Sequence, residues 1–219
     1  MYKGIIFDLD GTLLDTQEGV VVSLKETLKE LEQTEVEEDI VRQFIGPPLT
    51  DSFRQFLGYD EKAATHGAAV FKNYYQKKGI YIAREYPGIK ELLKECRDRK
   101  ITLAVATNKT HENAIKILEY FELSSFFHII QGNQVNRCTT KQEAIYECMK
   151  SCGLKRAETL LIGDSIIDGQ GAVLTGIDFL AVTYGYGFHK KQELDNVHPV
   201  AVCQNTDQIM DYIKGEGCR

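Results

Sequence analysis

The stretch GIIFDLDGTLLDT, residues 4–16, determines how the rest of the chain is interpreted. Its apolar run, Ile5-Ile6-Phe7, has the composition of a buried strand, and it is followed by two aspartates, Asp8 and Asp10. Side chains alternate along a strand, so both carboxylates are expected to project in the same direction. Two like charges at this distance repel each other unless a cation lies between them or one carries a proton. The stretch therefore predicts a reactive or ion-binding site at the end of the first strand.

The overall composition is that of a globular protein with a mild negative charge. The chain has 219 residues, of which 43% are hydrophobic and 26% are charged, and its formal net charge is -6. This balance argues against a nucleic-acid polymer as partner, because that affinity rests on a basic surface. We find no apolar stretch of the roughly 18 residues that a membrane helix needs and no signal-peptide pattern. We expect a cytoplasmic protein without a membrane partner, as a monomer or weak dimer.

The cysteines indicate a reduced interior rather than a metal site. Their spacing matches no zinc pattern. Cys148 and Cys152 fall with Ile145 and Met149 on one apolar helical stripe. We therefore predict core thiols, again in a cytoplasmic protein. The six positions are Cys96, Cys138, Cys148, Cys152, Cys203 and Cys218.

Strand-like and helix-like segments alternate from about residue 86 onward. The strand-like runs are nearly continuously apolar, which is typical of a parallel sheet covered on both faces. Amphipathic segments separate them, and the opening strand at residues 3–10 has the same composition. The pattern predicts an α/β fold with a doubly wound parallel sheet. The runs are ITLAVATN (101–108), FHIIQG (127–132), TLLIGDS (159–165), FLAVTYG (179–185) and PVAVC (199–203).

Residues 16 to about 80 interrupt this alternation with helical sequence alone. Val20, Leu24, Leu28 and Leu31 lie at helical spacing, and no good strand follows before the Pro87-Gly88 turn. The chain is therefore predicted to form an α/β core domain from residues 1–15 and 82–219. Residues 16–81 would form a small helical domain inserted between the first strand and the rest of the sheet.

Polar residues stand at the ends of several predicted strands. Thr107-Asn108 ends ITLAVATN, and Asp164 ends TLLIGDS with Asp168 close behind. Lys141 opens a helix. Open α/β sheets bind ligands beyond the carboxyl ends of their strands. Carboxylates in this number are suited to Mg²⁺, whereas a hydroxyl, backbone amides and an ammonium are suited to a phosphate group. The pattern indicates a magnesium and phosphate site.

These motifs resemble the four ordered motifs of the haloacid dehalogenase superfamily. DLDGTLLDT, ATN, Lys141 and GDSIID occur in the family's order, and the resemblance covers essentially the whole chain. The helical insertion after the first motif is similar to the cap domain of the family's helical-capped phosphatase branch. FIGPPLTDSF, residues 44–53, resembles cap segments of 5'-nucleotidase-like and phosphoglycolate-phosphatase-like members.

The resemblance implies a role for each motif residue. Asp8 would attack phosphorus and form an aspartyl-phosphate. Asp10 would protonate the leaving alcohol and then activate water. Thr107 and the N–H of Asn108 would hold phosphoryl oxygens, and Lys141 would neutralise developing charge and keep Asp8 ionised.

The same resemblance implies the cofactor and its ligands. Mg²⁺ would be held by Asp8, the backbone carbonyl of Asp10 and Asp164, with Asp168 as a ligand or support. Gly11 would allow the chain to turn sharply out of the phosphate site toward the cap.

Two other cations compete with Lys141 for its role. Related sequences often have Lys-Pro at this motif, whereas this chain has Lys141-Gln142, a change at a helix start with little chemical consequence. Lys109 and Arg137 are the competitors, and Arg137 is also a candidate substrate contact.

Two further segments are candidates for parts of the site. Gly185 and Gly187 predict a flexible loop near the site, because the dinucleotide fingerprint is incomplete. One or two basic residues of the insertion are expected to face the substrate. Among them, Arg54 is a candidate for binding the substrate or its phosphate. That basic set is Arg42, Arg54, Lys72 and Lys77.

The function expected is a Mg²⁺-dependent phosphatase acting on a small phosphorylated metabolite, a nucleoside monophosphate first and phosphoglycolate second. A sugar phosphomutase of the same superfamily is the first alternative, although Pro47 and Pro48 stand where its cap usually has an arginine. A non-catalytic module that senses phosphate or Mg²⁺ is the second. The acid–base residue Asp10 argues against it, since a pure binder needs none.

Overall fold

The computed structural model describes residues 2–33, 36–45, 49–134, 139–188 and 191–216. The chain divides into two compact units, which we call the core unit (residues 1–15 and 85–219) and the inserted unit (residues 16–84). In the part of the chain that the structure describes, no helix has both the length and the apolar character needed to cross a membrane.

The secondary structure follows the predicted alternation in the core unit and is nearly all helical in the inserted unit. The strands are β1 (Gly4–Phe7), β2 (Leu14–Asp15), β3 (Arg84–Glu85), β4 (Thr102–Thr110), β5 (Ile129–Asn133), β6 (Thr159–Gly163), β7 (Asp178–Val182) and β8 (Ala201–Cys203). The helices are α1 (Gln17–Glu30), α2 (Glu38–Gln43), α3 (Leu49–Leu57), α4 (Glu61–Lys77), α5 (Ile89–Asp98), α6 (His111–Tyr120), α7 (Lys141–Cys152), α8 (Ile166–Thr175), α9 (Lys191–Asp195) and α10 (Thr206–Lys214).

The core unit contains a six-stranded sheet in the order β5-β4-β1-β6-β7-β8. Every neighbouring pair is parallel, with Phe7 of β1 opposite Val105 of β4 and Ile162 of β6. This arrangement confirms the predicted doubly wound α/β class. β1 lies in the middle of the sheet, between β4 and β6. The chain therefore builds the sheet outward from β1 in two opposite directions.

The first strand is shorter than its sequence predicts. It ends at Phe7 rather than at residue 10, because the backbone beyond Asp8 turns back on itself. The N–H groups of Leu13 and Leu14 both donate to the carbonyl of Leu9, 2.9 and 3.1 Å away. Asp10 therefore lies in a turn at the strand's carboxyl end and outside the sheet's hydrogen-bonded ladder.

Both faces of the sheet are buried, as the continuously apolar strands predict. On one face Ile6, Leu161 and Phe179 pack with residues of α7 and α8, including Ile145 and Ala172. The alternate strand residues are equally buried, and they include Ile5, Phe7, Val105, Ile162 and Leu180. A site at the carboxyl edge is therefore supported by a rigid, closely packed layer.

The cysteines for which the structure gives a state are free thiols, as predicted. Cys148 lies in the apolar layer under the sheet, where its thiol donates to the carbonyl of Val105 at 3.3 Å. Burial raises the pKa of the Cys148 thiol and, to about 12, that of Cys96. These thiols behave as small apolar core groups. The free cysteines are Cys96, Cys148, Cys152 and Cys203.

The inserted unit is a small helical bundle with an aromatic centre. α4 packs against both α1 and α3, and Phe44 and Phe53 are buried with their rings 5.1 Å apart. The unit continues to residue 84, three residues beyond the predicted boundary. The reason is local packing: the backbone carbonyl of Ile82 lies directly against Gly19 of α1, and Arg84 pairs with Glu18 of the same helix at 2.8 Å.

Candidate active site

Three adjacent strands carry the polar residues predicted for the site. Asp8 directly follows β1, Thr107 lies in the last part of β4, and Asp164 directly follows β6. Because β4, β1 and β6 are neighbours and run parallel, their carboxyl ends lie at the same edge. Asp8, Thr107 and Asp164 are 6%, 2% and 3% exposed, so these are buried polar groups that need partners.

Lys141 provides the cation of this edge. It is the first residue of α7, whose start is held by a capping box between Thr140 and Glu143. Its ammonium donates to Oδ1 of Asp8 at 2.6 Å and to the carbonyl of Ala106 at 2.9 Å. Oδ1 of Asp168 lies 2.7 Å away. Lys141 thus contacts the carboxylate predicted to be the nucleophile.

Three buried carboxylates form a compact cluster around this ammonium. Oxygen atoms of Asp8, Asp164 and Asp168 all lie within 4.8 Å of one another. Oδ2 of Asp168 accepts from the N–H and the hydroxyl of Ser165, at 3.0 and 2.6 Å, as the N-terminal cap of α8. These bonds orient Asp168 so that its other oxygen faces Lys141.

Asp164 is held by a loop from the next part of the sheet. Its Oδ2 accepts from the backbone N–H groups of Tyr186 and Gly187, at 2.9 and 2.8 Å. Gly185 lies so close to Asp164 and to the carbonyl of Gly11 that a side chain there would collide with both. The loop at residues 184–187 lies beside the site, as its glycines predict.

Burial and neighbouring charges shift the pKa values of Asp164, Asp8 and Lys141. Burial raises the pKa of the Asp164 carboxyl to about 7, with a further increase from the nearby Asp168. Burial also raises the pKa of Asp8, and the Lys141 ammonium acts in the opposite direction without cancelling the increase. For Lys141 burial alone lowers the pKa, but the carboxylates of Asp168 and Asp8 outweigh it and raise that pKa. The carboxylates are short of positive charge.

Asp10 has a cationic partner of its own. Its Oδ1 lies 3.0 Å from the ammonium of Lys109, whose side chain is only 9% exposed. Lys109 was a competitor for the role of Lys141, but it pairs with Asp10 and Lys141 pairs with Asp8. Gly11 follows with a φ of +83°, and a side chain there would collide with the Asp164 carboxylate. Glycine is therefore required at this turn.

The predicted phosphate-binding pair lies at the end of β4. The hydroxyl oxygen of Thr107 accepts from the N–H of Lys109 at 3.2 Å, so Thr107 closes a tight turn. The carbonyl of Asn108 accepts from the side chain of Asn133 at 2.9 Å. These bonds fix the segment that follows β4. Because Thr107 uses its hydroxyl oxygen as an acceptor, its hydroxyl hydrogen can be donated to a ligand.

The remaining predicted site residues lie in the inserted unit or outside the described residues. Arg54 lies exposed on α3 of the inserted unit, with its guanidinium 3.1 Å from Glu61. Arg137, Pro47 and Pro48 lie outside the described residues.

Sequence reasoning did not identify two features of the site. One is the Lys109–Asp10 pair, and its signal was the position of Lys109 two residues after Thr107. The other is the pair of amide donors on Asp164. The glycines of YGYG marked that loop, but a backbone N–H carries no residue-specific signature.

The cluster has the chemistry of a site for a hard cation. Asp8, Asp164 and Asp168 offer only oxygen donors, and one ammonium, Lys141, lies among the three carboxylates. Mg²⁺ is bound through one or two carboxylates and retains several waters. The donor set and the unbalanced negative charge therefore fit this ion.

Comparison with known proteins identifies relatives over most of the chain. The sequence profile of the haloacid dehalogenase-like hydrolases matches residues 5–182. A 5'-nucleotidase from Pseudomonas aeruginosa is 36% identical over 97% of this chain and 96% of its own length. A phosphoglycolate phosphatase from Pseudomonas syringae pv. tomato is 31% identical over 84% of this chain and 70% of its own.

A solved structure gives the same result for the fold. A haloacid dehalogenase-like family hydrolase from Streptococcus pneumoniae superposes with a TM-score of 0.87 at 30% identity, covering 97% of this chain and 98% of that one. The chain belongs to the haloacid dehalogenase-like hydrolase family and shares its core with phosphatases.

Proposed function

We propose that this protein is a Mg²⁺-dependent phosphatase that hydrolyses a small phosphomonoester through an aspartyl-phosphate. The observation that carries the proposal is the Asp8 carboxylate, bonded to Lys141 within a cluster of three buried carboxylates. A second acidic residue, Asp10, stands two positions further on. A nucleophile and an acid–base group at one sheet edge are what a two-step phosphoryl transfer requires.

In the first step a carboxylate oxygen of Asp8 attacks phosphorus as the bond from phosphorus to the leaving oxygen breaks. Asp10 gives its proton to that oxygen, and the alcohol departs. Lys141 offsets negative charge as it moves onto the phosphoryl group. Thr107 and the N–H of Asn108 orient the phosphoryl oxygens for in-line transfer.

In the second step water attacks the phosphorus of the Asp8 ester. Asp10, now ionised, accepts a proton from that water. The bond between phosphorus and Asp8 breaks, inorganic phosphate leaves, and both aspartates return to their starting states. Asp10 therefore serves as acid and then as base, and the Lys109 ammonium 3.0 Å away holds its side chain.

Mg²⁺ would be held by Asp8, Asp164 and the backbone carbonyl of Asp10, with Asp168 as ligand or support. When bound, the ion supplies charge neutralisation between the nucleophile and the phosphoryl oxygens. In the protein alone, burial and then the neighbouring carboxylates raise the pKa values of Asp8 and Asp164, and a bound cation would favour their ionised forms.

The substrate class is proposed from the relatives and the residues together. A 5'-nucleotidase covers nearly the whole chain, so nucleoside monophosphates are the first class and phosphoglycolate the second. We infer that the inserted unit acts as a cap that excludes water during transfer, with Arg54 as a substrate contact. The free thiols are consistent with a cytoplasmic enzyme.

A panel of phosphorylated metabolites, assayed for phosphate release with and without Mg²⁺, tests the proposal. We expect hydrolysis only with the ion, with nucleoside monophosphates cleaved fastest. Release led by hexose phosphates would contradict the substrate class and leave the mechanism standing. Interconversion of sugar phosphates without phosphate release would favour the phosphomutase, and no turnover of any ester would favour the sensing module.

A further inference from the structure

Apart from the carboxylate cluster, the core unit contains a cavity that the mechanism does not use. It has a volume of about 340 Å³ and is lined by Tyr86–Gly88, Tyr184 and Gln204–Asp207. We call it the tyrosine pocket. Its volume falls in the range of small-molecule sites, which start at about 300 Å³.

The walls of the tyrosine pocket are held together by specific contacts. The hydroxyl of Tyr184 donates to the carbonyl of Thr12 at 2.9 Å, and its ring lies 4.6 Å from that of Tyr86. The hydroxyl of Thr206 donates to the carbonyl of Pro87 at 2.6 Å. Gly88 has a φ of +80° and lies so close to that hydroxyl that a side chain would collide with it. The pocket is therefore preformed, which lowers the entropy cost of binding.

The lining combines aromatic faces with uncharged polar groups and one carboxylate. Tyr86, Tyr184 and Pro87 provide the apolar surface for a flat ring. Gln204, Asn205 and Asp207 are exposed and offer amide groups and an acidic acceptor, although the amide oxygen of Asn205 already accepts from the N–H of Gln208. Among the residues that the structure describes, the lining contains no lysine and no arginine. Such a site favours a planar, uncharged ring with N–H donors and disfavours a phosphate group.

The pocket is connected to the catalytic edge through one wall. Tyr184 immediately precedes Gly185, which packs against Gly11 and Asp164, and the next two amides donate to Asp164. A ligand bound against the ring of Tyr184 would therefore contact the first residue of the loop that positions the Asp164 carboxylate.

We propose that the tyrosine pocket binds a nucleobase. The choice of this ligand class rests in part on the proposed function, because a nucleoside is the leaving group of a nucleoside monophosphate. The base has two sources, the substrate itself or a free nucleoside acting as an effector, and both present the same ring to the same wall.

Unphosphorylated nucleosides test this proposal on the full-length protein. Adenosine, guanosine, cytidine and uridine are titrated by calorimetry, and each is assayed as an inhibitor of aryl phosphate hydrolysis. We expect saturable binding of at least one of them. Gln204→Ala and Asp207→Asn should each weaken it by about tenfold, the effect of losing one hydrogen bond to a buried or charged partner.

The control is Asp211→Asn, on the same helix and outside the lining, which should bind like the unmodified protein. Thermal unfolding of all three variants verifies that the fold is retained. Competitive inhibition identifies the site as the leaving-group subsite, and non-competitive inhibition identifies it as an effector site. Both outcomes support a nucleobase pocket.

Absence of nucleoside binding at millimolar concentration, or equal binding by the pocket variants and the control, would overturn the proposal. The phosphatase assay is read independently. Hydrolysis without nucleoside binding refutes only the pocket, whereas nucleoside binding without hydrolysis of any ester refutes only the enzyme.

Discussion

The ammonium nitrogen of Lys141 lies 2.6 Å from Oδ1 of Asp8, and both residues are at least 94% buried. The same nitrogen lies 2.7 Å from Asp168. One buried cation therefore balances two buried carboxylates and orients the nucleophile. Each aspartate of the DLD segment contacts its own lysine, Lys141 for Asp8 and Lys109 for Asp10.

Lys141→Met should lower both stability and turnover. Removing one partner of a buried ion pair costs about 3–5 kcal/mol, because the remaining charge is uncompensated. Loss of a well-placed electrostatic group costs about 10²–10³-fold in kcat. Urea unfolding without Mg²⁺ and phosphate release measure the two effects. Lys150→Met, on an exposed position of the same helix, is the control, and equal behaviour of the two variants would contradict the role of Lys141.

Asp8→Asn should abolish turnover with little change in structure. The amide has nearly the same shape, but it cannot attack phosphorus. We expect a loss of at least about 10⁴-fold, at the upper end of effects for a single catalytic group. Asp98→Asn, exposed near the end of α5, provides the matched control. A tenth of the original rate in the Asp8 variant would exclude the covalent mechanism.

The sheet and the carboxylates of the site were predictable because their signals are local. Apolar runs with both faces buried indicate parallel strands, and parallel strands bring their carboxyl ends to one edge. This reasoning predicted that the strands carrying Asp8, Thr107 and Asp164 would end at one edge. The three strands are parallel neighbours, and carboxylate oxygens of Asp8 and Asp164 lie within 4.8 Å of each other.

The partners of these groups were less predictable, because they depend on loop geometry. Nothing in the sequence distinguishes Lys109 as the partner of Asp10 rather than of Asp8; the turn after β4 decides it. The amides of Tyr186 and Gly187 bind Asp164 through backbone atoms that every residue has. The end of β1 was predicted three residues late because the turn at Leu9 has no proline or glycine before it.

Mg²⁺ should have its largest effect on stability at neutral to alkaline pH. The pKa of Asp164 is about 7 in the folded protein and 3.8 ordinarily, so the folded state binds this proton more tightly. The resulting stability is present below about pH 4 and is lost as pH rises through 7. In the proposed function Mg²⁺ binds the ionised carboxylate, and it should restore the stability that ionisation removes.

Thermal unfolding from pH 5 to 8, with Mg²⁺ and with a chelator, measures this effect. We expect the midpoint in chelator to decrease with pH more steeply than the midpoint in Mg²⁺. In Asp164→Asn, which does not titrate, this difference should shrink. A difference between Mg²⁺ and chelator that is independent of pH would contradict the titration of Asp164, and full activity in chelator would contradict the metal requirement.

Gly185→Ala should damage the site without touching a catalytic side chain. The added methyl would collide with Asp164 and with the carbonyl of Gly11, so the loop must move. Asp164 would then lose its two amide donors and bind Mg²⁺ more weakly. The expected result is a higher Mg²⁺ concentration for half-maximal activity. Thr183→Ala, exposed two residues earlier, controls for effects of substitution in this segment; unchanged Mg²⁺ dependence in Gly185→Ala would show that the loop does not position Asp164.

Arg54→Ala tests whether the inserted unit selects the substrate. In the proposed mechanism the catalytic residues contact the phosphoryl group of any ester, so contacts that distinguish one leaving group from another must lie beyond them. Arg54 is exposed and makes only a surface ion pair with Glu61, which contributes little to stability. We therefore expect thermal unfolding to be nearly unchanged. KM for a nucleoside monophosphate should rise more than KM for an aryl phosphate, since the nucleoside extends further from the phosphoryl group than the aryl ring does. Lys62→Ala, an exposed cation of the adjacent helix, is the control. An equal change for both substrates would remove Arg54 from substrate selection and leave that role to the core.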